Sequence, residues 1–181
     1  NIPTKKSDAS ARGKRRNYSC RRNIRTQHTP MQQHTYIFGF GSLMNEESLQ
    51  RTLPEKKIFS WAILEGYKRA FNKAGRKGHR YLNLKPDQNS QVKGVLIQVS
   101  EKELEELKRR EEGYNLTDVT KQIETKPTEG AVVYAFIAPP FAQLKISRSY
   151  LDTVLAALPS REQEQWLKET DFDDAEIDES G

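Results

Sequence analysis

Glu111 is a carboxylate where the pattern of its helix calls for an apolar side chain. Ser100-Glu101-Lys102-Glu103 has the spacing of a capping box, in which Ser and Glu three apart satisfy each other's free backbone donors. The helix it opens is predicted to run to about Arg110. At about 100° per residue, Leu104 and Leu107 define the inward stripe, and Glu111 falls between them in angle while Glu112 points aside. Glu101, Lys102, Glu105, Glu106 and Arg109 lie mostly off that stripe, where solvation accounts for their charges. A carboxylate that continues an apolar stripe past the last turn is salt-bridged for structure, frayed into solvent, or held partly desolvated. In the last case its pKa rises toward neutrality, and it can exchange protons with a bound molecule.

A second candidate is Gly39-Phe40-Gly41-Ser42-Leu43, where a buried strand passes sharply into a helix. Free backbone N–H groups at such a junction can hold a carboxylate or a developing oxyanion; the plainer reading is a tight glycine turn with no ligand. A dinucleotide fingerprint is excluded because position 44 is Met, not the third glycine, and strands follow the helix. A serine-nucleophile elbow is excluded as well, since Gly41 directly precedes Ser42 and no Asp–His pairing is evident.

These residues must be carried by regular elements. Tyr36 to Phe40 reads as a buried strand, and Asn45 caps a helix with Leu49 and Leu53 on one face that Pro54 closes. Strand signals then cluster at Ile58 to Leu64, Tyr67 to Phe71, Tyr81 to Leu84 and Val92 to Val99. Turns are expected at Glu65-Gly66, Gly75 to Gly78 and Pro86 to Ser90. After the capped helix come strands at Leu116 to Ile123 and Ala131 to Ala138, a helix from Ser147 to Leu158, and a short amphipathic piece containing Trp166 and Leu167. Helices inserted between groups of strands, without one-for-one alternation, predict an α+β fold: a small mixed β-barrel with about three packed helices.

The chain has 181 residues, 35% hydrophobic and 30% charged, with a formal net charge of +5. That is room for one well-cored domain with unfolded ends. Residues 1–30 carry basic side chains from Lys5 to Arg25 against the single acid Asp8, about +8 in all. We therefore expect a basic disordered arm at 1–30, a domain at 31–168, and an acidic disordered tail at 169–181. The arm lacks interleaved aromatics apart from Tyr18, so nucleic-acid binding through it is a minor expectation. No apolar run follows its charges as a secretory leader requires, and no segment approaches a membrane span. The single cysteine, Cys20, excludes an internal disulfide, and a cytoplasmic location is expected. His28, His34 and His79 are too scattered to suggest a metal site.

Three stretches carry a family resemblance: Ile37-Phe38-Gly39-Phe40-Gly41-Ser42-Leu43, Gly66-Tyr67-Lys68-Arg69-Ala70-Phe71, and Leu107 through Arg110-Glu111-Glu112-Gly113-Tyr114. In order and spacing, the region from Tyr36 to Leu158 resembles the gamma-glutamylcyclotransferase superfamily, its ChaC-like and AIG2-like members. The Arg-Glu-Glu-Gly-Tyr stretch and Arg69 look most like the ChaC branch, which the family pattern associates with glutathione. The resemblance implies a mixed α+β barrel, no metal or organic cofactor, a small gamma-glutamyl substrate, and release of 5-oxoproline from it. It implies Glu111 as general base and acid. Phe40, Gly41, Ser42 and Leu43 would anchor the substrate through backbone N–H groups. Arg69 would pair with a substrate carboxylate, unless it is an exposed strand arginine, and Tyr114 would line the pocket with Tyr150, unless both pack in the core.

This chain departs from the pattern twice: family members usually have Tyr where Phe40 stands, and often Asp where Lys108 stands. Either change is compatible with a different amine specificity or with a domain that binds gamma-glutamyl groups without turning them over. A third reading is an adaptor whose domain presents the basic arm. The choice among glutathione, gamma-glutamyl amino acids and gamma-glutamylamines is not encoded in any of these motifs.

Overall fold

The computed structural model describes residues 34–75, 78–125, 127–141 and 144–179. The basic arm expected at 1–30 lies outside the described residues. Among the described residues the architecture is α+β, with a seven-stranded mixed sheet and four α-helices. The run Tyr36-Ile37-Phe38 is fully buried and forms the middle of β1 (Thr35–Gly39), which pairs antiparallel with the end of the long β3 (His79–Val99) and parallel with β5 (Val132–Ile137). β4 (Asn115–Asp118) extends the sheet beyond β5. On the far side of β3 lies β2 (Ser60–Ala74), and a Leu64–Ile123 bridge joins it to the chain that follows β4. Glu65 N–H to Gln122 O and Glu124 N–H to Ile63 O reinforce that bridge. The sheet thereby closes on itself, which is how a small sheet removes its exposed edges.

The four strand signals between Ile58 and Val99 resolve into just two strands, β2 and β3, each with a bend. Register runs from Glu65↔Gln91 directly to Tyr67↔Pro86, so Gly66 alone faces residues 87–90. Gly66 has φ +77°, a conformation open to glycine at little cost. On the opposite strand Asp87 accepts from Asn89 N–H and Ser90 Oγ, a local Asx-type arrangement. The two expected turns are therefore the two sides of one bulge, and they bend the hairpin without ending it. The outer half projects beyond the barrel and there takes on β6 (Lys145–Ser147), which pairs with His79 and Arg80.

Four helices surround this frame. Asn45 caps α1 (Glu46–Gln50), its side chain accepting from Ser48 N–H at 2.9 Å; the helix stops at Gln50, short of Pro54. The capping box at Ser100 forms as expected and opens α2 (Glu101–Arg110). α3 (Arg148–Leu155) buries Leu151 and Val154, and α4 (Ser160–Glu169) buries Trp166.

The segment after α4 departs from expectation. Read as a disordered acidic tail, it is placed through residue 179 and held at almost every acid. Asp171 exchanges main-chain hydrogen bonds with β2, donating to Arg69 O and accepting from Phe71 N–H, both at 2.8 Å. Phe172 stacks on Phe71, and β7 (Ile177–Asp178) pairs with β6. Glu169 meets Arg69, Asp171 meets Lys85, Asp173 meets Arg80, Glu176 meets Lys145, Asp178 meets His79, and Glu179 meets Arg148. Main-chain pairing and charge hold this strap, so it needs no periodic apolar face.

Arg69 belongs to the same construction. Its side chain is 2% exposed and donates to Lys93 O at 3.0 Å, Thr170 Oγ1 at 3.2 Å and Glu169 at 3.2 Å, with the guanidinium 5.0 Å over the Trp166 ring. Burial pushes its pKa down to about 10 against the pull of Glu169. Arg69→Met is expected to lower unfolding free energy in urea by about 3 kcal/mol, the low end for breaking a buried pair because Glu169 is half exposed and rehydrates. A loss below about 0.5 kcal/mol, the size of an ordinary surface substitution, would contradict a buried anchoring role.

Candidate active site

β1 leaves β3 after Gly39, and β6 joins β3 only at His79 and Arg80, so among the described residues the edge of β3 between them lacks a strand partner. Side chains fill the gap. Leu82 faces Phe71 of β2, whose own N–H and C=O turn away from β3 to Asp171 O and Arg80. Pairing of that kind directs the Leu82 N–H and C=O to the open edge as well. There Tyr114 donates its hydroxyl to Leu82 O at 2.6 Å, and Tyr150 lines the same recess as Leu82. Further along, the side chain of Asn83 on β3 ties the strand to the Ala138 backbone, accepting from Ala138 N–H at 2.9 Å and donating to Ala138 O at 2.8 Å.

A cavity of about 550 Å³ opens at this gap, walled by the ends of β2, α2 and α3. A smaller recess continues it toward the glycine turn and is lined by Phe40, Gly41, Ser42, Leu43, Glu111, Tyr114 and Tyr150. Residues 42–44 form one 3-10 turn whose first internal bond is Met44 N–H to Gly41 O at 2.9 Å. The N–H groups of Ser42 and Leu43 precede that bond and have no acceptor within the turn. A Cβ on Gly41 would meet the Tyr150 hydroxyl at 3.1 Å, so the turn sits directly against that tyrosine.

Glu111 enters from the opposite wall. α2 ends at Arg110, yet the Glu111 N–H still reaches Leu107 O at 2.8 Å, so the side chain keeps the helical direction set by Leu107. Gly113 then takes φ +84° and swings Tyr114 back over the cavity. The Glu111 side chain is 16% exposed and pairs with Arg110 Nε at 3.1 Å. Burial raises its pKa above the ordinary glutamate value, opposed by the charges of Arg110 and Lys73 and by the hydrogen bond from Arg110. Burial likewise pushes the Tyr114 and Tyr150 hydroxyls up, Tyr150 and Glu111 adding to the effect at Tyr114, so both phenols stay protonated.

Of the residues singled out from sequence, Glu111, Phe40, Gly41, Ser42, Leu43 and Tyr114 converge on this cavity and its recess. Arg69 does not: it lies on β2 against α4, buried among Trp166, Thr170 and Glu169, and is absent from both linings. Lys73, Tyr81 and Arg110 are cavity residues that sequence reasoning missed. Arg110 stands in the run Lys108-Arg109-Arg110, whose other members are exposed, and charge alone does not separate it from them. Lys73 donates to Glu112 O at 3.1 Å and lies 4.6 Å over the Tyr114 ring. Among the described residues, no group of three or more His, Cys, Asp or Glu converges as metal ligands do, and no helix is long and apolar enough to cross a membrane.

Tyr114→Phe leaves the Leu82 carbonyl without its donor and is expected to cost about 1–3 kcal/mol in chemical denaturation. An unchanged midpoint would mean that solvent or another donor already satisfies Leu82.

The comparisons with known proteins agree with this fold. Among solved structures, a gamma-glutamyl cyclotransferase superposes with a TM-score of 0.64 at 17% identity, over 81% of this chain and 95% of that one. An uncharacterized protein from Homo sapiens gives 0.63 at 18%, over 82% and 95%. YkqA from Bacillus subtilis gives 0.60 at 16%, over 81% of this chain and 57% of that one. At these identities the likeness is one of fold. No curated protein matches the sequence. The family model "Gamma-glutamyl cyclotransferase, AIG2-like" matches residues 37–152, from β1 through the cavity's last wall in α3. On that match, which spans more than half of its length, the chain belongs to the gamma-glutamyl cyclotransferase, AIG2-like family.

Proposed function

We propose that this protein is a gamma-glutamylcyclotransferase that releases 5-oxoproline from glutathione or a related gamma-glutamyl compound, with Glu111 as general base and then general acid. The observation that carries the reading is the buried Glu111 carboxylate facing the glycine turn across one cavity. The substrate's α-ammonium gives a proton to Glu111, and the freed amine attacks the γ-carbonyl of the same molecule. A C–N bond forms and the carbonyl oxygen becomes an oxyanion. Collapse breaks the bond to the departing amine, which takes the proton back from Glu111; the ring nitrogen gives its second proton to the freed amine, so that the lactam is neutral and the amine leaves as an ammonium. The N–H groups of Ser42 and Leu43, with the turn from Phe40, anchor the substrate carboxylate or the oxyanion.

The protein's contribution in this scheme is proton transfer and folding of the substrate. General acid–base help is worth about 10²–10⁴-fold, and bringing amine and carbonyl of one molecule together adds a large effective molarity. A carboxylate raised by burial is a better match to an ammonium proton than an exposed one. Tyr114, tied to Leu82, and Tyr150 wall the recess, both protonated. Arg69 is left to the strap. The same residues would serve in the cytoplasm without a cofactor.

A second reading is a domain that binds gamma-glutamyl groups without turning them over. It is favoured by Phe40, which lines the recess without the hydroxyl that family members usually carry there.

Release of 5-oxoproline from glutathione and a panel of gamma-glutamyl amino acids and amines separates the two. The parent chain is expected to form product with at least one panel member. Glu111→Gln is expected to reduce kcat by roughly 10²–10⁴-fold at matched folding, and Glu112→Gln to leave it nearly unchanged. No product from any panel member, with binding retained, would favour the binding module. The pH profile of kcat/KM is a further test. Below its pKa Glu111 is protonated and cannot accept the ammonium proton, so the rate should fall on the acid side along a limb lying above the ordinary glutamate range. A limb at or below that range would contradict a desolvated base.

A further inference from the structure

Arg110 is the last residue of α2, and its side chain is 18% exposed. Its guanidinium uses every edge. Nε meets Glu111 Oε1 at 3.1 Å; one terminal nitrogen donates to Ser48 O at 2.6 Å and Thr52 Oγ1 at 3.3 Å; the other donates to Ser42 Oγ at 3.1 Å and Ser48 Oγ at 3.0 Å. One rigid plane thus touches the Glu111 carboxylate, the glycine turn, and α1 behind the turn. Adjacent side chains of a helix do not normally face each other, so the Arg110–Glu111 pair belongs to the site and not to helix geometry.

We propose that Arg110 is a positioning residue, which sets the spacing between Glu111 and the Ser42 turn and keeps the carboxylate ionised until it takes a proton. The proposal rests on the reading of Glu111 as the base. Arginine suits the task because its fork is fixed in shape and does not give up its proton at working pH. The charged and titratable groups facing Glu111 are Arg110 of its own helix, Lys73 from β2, Tyr114 from the turn after α2 and Tyr150 from α3, with Tyr81 of β3 beside the tyrosines. Among the described residues, Arg110 and Lys73 bring positive charge to Glu111, and Arg110 also bonds to Ser42 of the turn.

The test titrates the Glu111 carboxyl by carbon NMR in the full chain labelled at glutamate Cδ, assigned with Glu111→Gln, in the parent, Arg110→Met and Arg110→Lys. Release of 5-oxoproline by the same proteins is followed across pH, and kcat is separated from KM at each point. In Arg110→Met, Glu111 is expected to titrate at higher pH, the acid limb of kcat to move with it, and plateau kcat to fall roughly 10²-fold with KM little changed. Arg110→Lys is expected to restore the titration, because the charge remains, but not the plateau, because an ammonium cannot span Glu111, Ser42 and Ser48 in one plane. If the Met variant fails to fold, the Lys variant alone decides: parent-like titration with lowered kcat supports positioning. Unchanged titration in Arg110→Met, full recovery of kcat in Arg110→Lys, or a rise in KM with kcat intact would overturn it. If the parent releases no product, the base reading falls separately, while the titration still decides whether Arg110 holds the carboxylate ionised.

Discussion

A strand in the interior of a protein cannot leave its hydrogen-bonding edge empty, and the site exists because β3 has a stretch of edge with no strand beside it among the described residues. β1 has already turned away at Gly39, and β6 arrives only at the far end. Each unpaired buried backbone group costs free energy comparable to a lost hydrogen bond. At Leu82 the chain meets that demand with the Tyr114 hydroxyl from the segment after α2, and β3 itself reaches across through the Asn83 side chain to the Ala138 backbone. Tyr114, tied to Leu82, places the exit of α2 at the gap, and Tyr150 brings the face of α3 to the same recess. Glu111 lies between them, opposite a turn whose Gly41 packs against the Tyr150 hydroxyl.

Electrostatics in the gap follows from the same closure. Burial alone pushes the Glu111 carboxyl toward its neutral form; the Arg110 guanidinium and the Lys73 ammonium pull it back. The outcome is a carboxylate raised from its ordinary value but still paired, a state suited to taking a proton and returning it. Away from the gap, charge is structural. Arg69 and Arg80 are buried on the outer half of the β2–β3 hairpin and hold the C-terminal strap. The strap in turn steadies the end of the hairpin that supplies Lys73 and Tyr81 to the cavity wall.

Much of this was legible in sequence where a local rule and the tertiary environment agree. The capping box at Ser100 and the apolar stripe through Leu104 and Leu107 announced α2, and its angle placed Glu111 inward. The Asn45 cap and the buried run of β1 read equally well. What sequence misplaced depends on contacts between distant segments. Gly66 and Asp87 to Ser90 carry turn chemistry, yet facing each other across a hairpin they make a bulge. Acids from Glu169 to Glu179 look solvated until paired with bases from β2, β3, β6 and α3. Arg69 and Arg110 are both arginines beside motif residues. Only the fold sends the first to α4 and the second into the cavity.

If the protein works as proposed, the recess between the glycine turn and Glu111 receives the gamma-glutamyl part of a substrate. The most direct test is an amide proton–nitrogen NMR titration of the full chain with 5-oxoproline, the product that such a recess must release. Shifts are predicted to concentrate at Gly41, Ser42, Leu43 and Glu111, with the amides around Arg69 and Trp166 unmoved. Shifts that cluster instead along α4, or none at the turn at saturating ligand, would contradict it.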